Sequence, residues 1–500
     1  MRLCPKNQKR RDSVTCNFIA GKWVPASGPE FQSTDPYNGD EIWTGNGSDA
    51  DDVDAAVLAA RSAAADWAAT SFDERVTILQ RYADLVEESK PQLAELIGRE
   101  AGKPVWESTG EVGAMVGKVA ISIQAHNDRC GTSERAAGDA KNVTRFKPHG
   151  VVAVFGPFNF PGHLPNGHLV PALLAGNTAI FKPSEVTPAV GQRLVELLEQ
   201  SGLPAGAINL VQGDRETGIA LASHDGIDGI FFTGSSAAGK AIHKSYGGRP
   251  EKILALEMGG NNPLIVHDFD DIDAAVYWTI QSSYITAGQR CVCARRLIVT
   301  EKAQQTGFID RLVEAIPHIK CGHYNDDPQP FIGPVISATA AEKILAEQQE
   351  LIAKGAKSLV ESRGSKDSAA IVTPGLIDVT SVAGISDEEI FGPLLQLYRV
   401  NDLSDAIESA NDTNYGLAAG IFCKSQSDYD RFFQQSRAGI VNWNKPTTGA
   451  SSAAPFGGVG QSGNHNPSAY FAADYCSYAV ASMESEQLTM PEKKSPGLKS

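Results

Sequence analysis

The sequence predicts an α/β protein organised around parallel sheets, and three observations carry that expectation. From about residue 150, short β-branched runs at Val151 to Phe155, Thr178 to Phe181, Ile208 to Val211 and Ile230 to Thr233 alternate with helical segments, the pattern of strands joined by crossover helices. A second strand-and-helix stretch runs from Leu264 to about Val441. The 500 residues, 42% of them hydrophobic, supply a large core, enough for roughly two to four domains.

The elements follow in order. Residues 1–17 form a basic leader with Arg2, Lys6, Lys9, Arg10 and Arg11. No apolar run follows it as a secretory signal requires, so it reads as a frayed end. Asp51 to Thr70 spaces Val53, Ala56, Val57, Ala60, Ala64 and Trp67 at helical intervals. Asp73 to Ser89 repeats the pattern with Val76, Leu79, Tyr82 and Val86, and the first 130 residues read as mainly helical. Gly131 to Lys147 is polar before an extended Val143 to Phe146, and reads either as a linker or as a strand reaching out of its domain. Ile272 to Tyr284 and Thr339 to Lys354 read as helices of the second stretch. The cluster Gly457, Gly458, Gly460 and Gly463 reads as an ordered binding loop, and the Lys-, Pro- and Ser-rich end as frayed.

Charge and cysteine usage bound the function. Forty-four Lys and Arg against 59 Asp and Glu give a net charge of −15, which repels nucleic acid and anionic membranes. No apolar stretch approaches the roughly 18 residues that a bilayer crossing needs. A soluble, cytoplasmic protein is expected. The eight Cys show no disulfide framework and read as free thiols. Cys291 and Cys293 are too close along an extended chain to pair comfortably, and Cys-x-Cys without a second ligand pair is a poor zinc set, so no metal is expected.

Four motifs bear chemistry. Gly288-Gln289-Arg290-Cys291 lies between a helical pattern and the extended Arg296 to Thr300, a junction that exposes reactive groups; the bland alternative is a buried small hydrophobe. Glu257 ends an apolar strand before Gly259-Gly260, where desolvation raises a carboxyl toward general-base range, unless it is salt-bridged or capping. Asn159, between Phe158 and Phe160, offers an amide to an oxyanion or satisfies its own turn. Phe232 to Lys240 closes a strand and opens a helix, where free N–H groups favour phosphate. Its Gly-x4-Gly-Lys spacing suggests a nucleotide triphosphate loop, but Ala241 stands where that loop needs a hydroxyl, and Ser236 replaces the middle glycine of the dinucleotide fingerprint.

Taken together with Lys182-Pro183-Ser184-Glu185 and Glu389-Ile390-Phe391-Gly392-Pro393, these motifs occur in an order that resembles the aldehyde dehydrogenase superfamily, over about residues 18 to 490. The resemblance implies Cys291 as nucleophile, Glu257 as general base and Asn159, with the Cys291 N–H, as oxyanion hole. It implies NAD as cofactor, with Lys182 and Glu185 at the adenosine ribose and Gly234, Ser235, Ser236, Ala237, Ala238 and Gly239 along the pyrophosphate. Glu389 and Phe391 would position the nicotinamide end. Ala237 and Ala238 depart from the acidic residue that many members carry in that loop, leaving backbone contact alone. The implied architecture is a Rossmann-like cofactor domain (18–129 and 149–258), an α/β catalytic domain (259–468), a small β oligomerisation element (130–148 and 469–490) and a tail (491–500), assembled as a homodimer or homotetramer.

Three further segments, Phe160 to His168, Cys291 to Arg296 and Asn442 to Pro446, resemble the branch of the superfamily that oxidises an acidic semialdehyde in arginine catabolism. The substrate so implied is a small anionic aldehyde with a succinyl carboxylate and an α-carboxylate. Arg129 and Lys445 are the favoured carboxylate readers, with His163, Arg295 and Arg296 as further candidates. Another acidic semialdehyde is the alternative substrate. A cofactor-free esterase, a phosphotransferase and a non-catalytic protein of the same fold are the rival classes.

Overall fold

The computed structural model describes residues 15–491 and 493–498. The basic residues of the leader lie outside the described residues. The leader is shorter than expected at its far end, because the first strand, Thr15–Ile19, begins inside it and pairs antiparallel with Lys22–Pro25.

The first of two seven-stranded sheets runs Ile253–Glu257, Gly229–Thr233, Val151–Phe155, Thr178–Lys182, Ile208–Leu210, Thr15–Ile19 and Lys22–Pro25. Its first five strands are parallel, as the alternation of strands and helices predicts. Strand Val151–Phe155 is buried along its whole length, and successive side chains enter opposite cores. Val152 and Val154 pack with Leu169, Leu173 and Phe181, whereas Val151, Ala153 and Phe155 pack with Val53, Val57 and Leu221. The second sheet runs Lys357–Val360, Gly375–Asp378, Leu394–Val400, Ala294–Thr300, Asn262–Val266, Ala418–Phe422 and Ile440–Trp443, parallel except at the first pairing. Only Met258 to Asn261 separate the end of the first sheet at Glu257 from the start of the second at Asn262.

The expected helices appear as Ala50–Ala69, Phe72–Glu88, Ile272–Ser283 and Ala338–Ala353. The first two start on capping boxes, Asp49 with Asp52 and Ser71 with Glu74, each cap stabilising its helix by about 1 kcal/mol. The opening 130 residues are mainly helical, as expected, with helices Ala50–Ala69, Phe72–Glu88, Lys90–Ala101 and Val105–Cys130, and Glu30–Thr34 with Glu41–Asn46 add a second hairpin that the sequence reading did not include. These strands are short and half exposed, so they leave little apolar alternation to read.

Gly131 to Lys147 is a strand-bearing segment, which decides between its two readings. Ser133–Ala137 and Ala140–Pro148 form a hairpin, and Ser477–Glu484 adds to it in register from Ser477 opposite Pro148 to Glu484 opposite Lys141. Among the described residues no helix is long and apolar enough to cross a membrane.

Candidate active site

Cys291 sits where the sequence places it, after helix Ile272–Ser283 and the 3-10 turn Ile285–Gly288, and before strand Ala294–Thr300. That turn is strained. Thr286, Ala287 and Gly288 all take positive φ (57°, 50° and 72°), a conformation that costs a non-glycine residue about 1–2 kcal/mol. A Cβ at Gly288 would stand 2.2 Å from the Gly392 carbonyl oxygen, so only glycine fits. Side chains hold the turn: Thr286 Oγ1 donates to Glu107 and accepts from Arg290 Nε at 2.7 Å. The Asn262 amide donates to the carbonyls of Cys291 and Cys293 at 2.7 and 2.8 Å, which ties the Cys291 loop to the neighbouring strand.

The two cysteines are not equivalent. Cys293 is fully buried with its thiol toward the Ile285 carbonyl, whereas Cys291 is half-buried and lines a cavity of about 660 Å³. Burial pushes the Cys291 thiol up, the charges of Glu389 and Glu257 push it further, and Arg295 opposes them.

Glu257 lines the same cavity at the end of strand Ile253–Glu257. Its Oε1 accepts from the Ser468 N–H at 3.2 Å, and its Oε2 is buried without a hydrogen-bond partner. Burial holds the carboxyl well above the usual range, and the Ser468 hydrogen bonds only partly offset this. Among the described residues Glu257 pairs with no cation, so the salt-bridged reading does not hold and a desolvated carboxyl faces the cavity. Part of the glycine cluster packs behind it: Gly463 bridges to Glu257, and a Cβ on Gly457 would come within 3.1 Å of Oε1. The other glycines pack elsewhere, Gly458 on Ser462 and Gly416, and Gly460 on Asn414.

Asn159 completes the group. Its turn follows strand Val151–Phe155, and its amide donates to the Gln289 carbonyl at 2.8 Å, beside the cysteine loop. An amide nitrogen carries two hydrogens, so this bond fixes the side chain and leaves one donor for the cavity.

Of the residues expected at a cofactor, Lys182 and the Gly234 loop stand at the same end of one parallel sheet, two strands apart. Lys182 is buried at the end of its strand, with its ammonium on the Pro183 carbonyl at 3.1 Å and Glu185 at 3.9 Å. Glu185 is exposed. Gly234 is fixed by its N–H on the Glu257 carbonyl at 3.0 Å, which ties the loop to the strand end that carries Glu257. Ser235 caps helix Ser236–Ser245, whose first turn carries no acidic side chain, and Ala237 and Ala238 are exposed there. Glu389 accepts from Arg295 at 3.1 Å, and a Cβ on Gly259 would lie 1.9 Å from its Oε2. Phe391 stands edge-on to Phe158 with the Arg295 guanidinium 5.3 Å from its ring. A helix N-terminus free of acidic repulsion fits a dinucleotide's phosphates.

The expected carboxylate readers are corrected by their surroundings. His163 lines the cavity. Arg129 does not: it pairs with Asp474 at 2.5 Å and lies over Phe471 at 3.6 Å. Lys445 is exposed, outside the cavity lining, with its ammonium 5.3 Å from the Trp278 ring. Arg295 and Arg296 are buried and engaged, Arg296 with the carbonyls of Asn261, Ser409 and Ala410. Two cations that sequence reading passed over, Lys118 and Arg290, do line the cavity. Arg290 was adjacent to the nucleophile and open to notice, but nothing in the pattern around Lys118 distinguishes it from a surface lysine.

Comparison with known proteins places this geometry. The model of the aldehyde dehydrogenase family matches residues 23–480. N-succinylglutamate 5-semialdehyde dehydrogenase of Paraburkholderia xenovorans (strain LB400) is 55% identical over 96% of this chain and 99% of its own length. The protein of that name from Ectopseudomonas mendocina is 54% identical over 97% of this chain and 100% of its own. Among solved structures, PnpE from Pseudomonas sp. WBC-3 superposes with a TM-score of 0.89 at 31% identity, over 95% of this chain and 98% of that one. Betaine aldehyde dehydrogenase from Staphylococcus aureus, in complex with NAD+, gives 0.89 at 28% identity, over 96% and 98% of the two chains. On its sequence, its fold and the convergence of Cys291, Glu257 and Asn159 on one cavity, the chain belongs to the aldehyde dehydrogenase family.

Proposed function

We propose that this protein oxidises N-succinyl-L-glutamate 5-semialdehyde to N-succinyl-L-glutamate with NAD, as a step of arginine catabolism. The observation that carries the reaction is the shared cavity, which a half-buried thiol, a desolvated carboxyl and an anchored amide all line. The substrate is supported by the near full-length identity to relatives of that name.

The residues divide the chemistry. The Cys291 sulfur, once its proton is removed, bonds to the aldehyde carbon, and the carbonyl electrons move onto oxygen. The Asn159 amide and the Cys291 backbone N–H stabilise that alkoxide. NAD, when bound, supplies the hydride acceptor. Lys182, Glu185 and residues 234–239 would hold its adenosine and pyrophosphate, and Glu389 and Phe391 its nicotinamide end. The thioester left on Cys291 resists plain water. Glu257 takes a proton from the attacking water as the new C–O bond forms, and the C–S bond breaks to release the carboxylate product.

The assay is NADH formation from N-succinylglutamate semialdehyde, succinate semialdehyde and propanal. Preference for the first supports the reading, and preference for either of the others overturns the substrate. Asn159→Ala is expected to lower kcat by roughly 100-fold to 1,000-fold, as loss of one oxyanion donor does; a kcat within a few fold of the parent would remove Asn159 from that role. Glu185→Gln is expected to reduce the preference for NAD over NADP by about tenfold, since the exposed carboxylate suits a ribose hydroxyl and repels a 2′-phosphate. An unchanged ratio of kcat/KM for the two cofactors would show that Glu185 does not face the ribose.

The same reading makes residues 18–129 and 149–258 the cofactor domain and 259–468 the catalytic domain. Residues 130–148 with 469–490 form the oligomerisation element of a cytoplasmic homodimer or homotetramer. Light scattering on the eluting protein distinguishes those states from a monomer.

A further inference from the structure

One cation on the cavity wall has no part in the chemistry above. Lys118, in helix Val105–Cys130, is 1% exposed and lines the cavity that holds Cys291, Glu257 and Asn159. An ammonium presents three donors, and the bond described for Lys118 Nζ is to the Ala469 carbonyl at 2.7 Å. Among the described residues it has no carboxylate within ion-pairing distance. Its neighbours do: Lys103 pairs with Glu111 at 2.5 Å and Arg290 with Glu107 at 2.9 Å.

A buried charge without a counter-ion is disfavoured. Burial lowers the Lys118 ammonium to about 8, and no carboxylate opposes that shift. The imidazoles nearby are no counter-ions, and burial, which holds His163 down at about 4 and His168 at about 3, keeps them from adding positive charge. Glu257 is itself held toward its protonated form.

The carbonyl contact has a structural use. Ala469 sits at φ 60°, strained for a residue with a side chain, and adjoins Ser468, whose N–H bonds Glu257. A neutral donor would serve that carbonyl equally well, so the contact explains a hydrogen bond and leaves the charge unexplained.

We propose that Lys118 receives a carboxylate of the substrate, so that an ion pair missing from the free protein is completed by an acidic aldehyde. This rests on the acidic-semialdehyde reading above and names the residue that enforces it. An uncharged aldehyde leaves the buried ammonium unmatched, whereas an anion matches it.

The test compares Lys118→Gln and Lys118→Arg with the parent on N-succinylglutamate semialdehyde, succinate semialdehyde and propanal, with kcat and KM resolved for each. Gln keeps a donor for Ala469 and removes the charge; Arg keeps the charge. The expected result for Gln is a roughly tenfold to hundredfold fall in the ratio of kcat/KM for the acidic aldehydes to that for propanal, carried mainly by KM, with Arg recovering much of it. The thermal stabilisation given by the product N-succinylglutamate should fall with the charge. A Gln variant that lowers kcat on all three substrates alike, with the ratio unchanged, would make Lys118 a clamp on Ala469 and overturn the proposal. Should Gln fail to fold, Lys118→Met gives the same ratio. A parent that prefers succinate semialdehyde refutes the substrate proposed above while the ratio still decides Lys118; a parent that prefers propanal refutes both.

Discussion

Cys291→Ala is expected to abolish NADH formation, with turnover down on the order of 10⁴-fold or more, because no other group in the cavity can form the thioester. The control is built into the sequence two residues away. Cys293→Ala should leave turnover within a few fold and cost about 1 kcal/mol of stability, since its thiol is buried against the Ile285 carbonyl and does not line the cavity. The same pair separates nucleophile from bystander chemically: iodoacetamide should inactivate the parent and the Cys293→Ala variant alike. That labelling should be slow near neutral pH and faster as pH rises, because burial and the adjacent carboxylates push the Cys291 thiol up. Activity surviving in Cys291→Ala at more than about one part in a hundred would overturn covalent catalysis, whatever the fold.

How much of this was legible in the sequence differs by element. Strand Val151–Phe155 matched its reading residue for residue, because a strand buried on both faces is a continuous apolar run bounded by turn formers. Strand Lys22–Pro25 and the hairpin of Glu30–Thr34 with Glu41–Asn46 escaped, since half-exposed edge strands of four to six residues carry no such run. Cys291, Glu257 and Asn159 each had a bland alternative that local pattern could not remove. What bears on Glu257 is that among the described residues no partner meets its buried Oε2, a fact about side chains from distant parts of the chain. Arg129 and Lys118 make the same point in opposite directions. They lie in one helix, and the ion pair with Asp474 that occupies Arg129 spans 345 residues of sequence. The lack of any such pair leaves Lys118 available to a ligand. Charge is legible in a sequence, but whether a charge is already matched is decided by the fold.

Glu257→Gln is expected to stop the reaction after its first half. Gln cannot accept the proton of the attacking water, so steady-state turnover should fall roughly 100-fold to 10,000-fold. The acyl group should remain on Cys291, visible as a mass increment on the intact protein. Hydroxylamine needs less help from a base to cleave a thioester, so adding it should restore product release as the hydroxamate. If hydroxylamine gave no rescue and no acyl adduct accumulated, Glu257 would act before the thioester and its assigned step would be wrong. Stability supplies an independent check, with the opposite sign from activity. Burial raises the folded-state carboxyl above its unfolded value, so between those two values the folded protein binds more protons than the unfolded chain. Folding stability contributed by this group therefore falls as pH rises through that window. Gln carries no proton to lose, so the variant should melt higher than the parent at pH 8 and close to it at pH 4. A variant that melts lower than the parent at pH 8 would mean that the ionised carboxylate is matched in the fold, and the desolvated-base reading of Glu257 would fail with it.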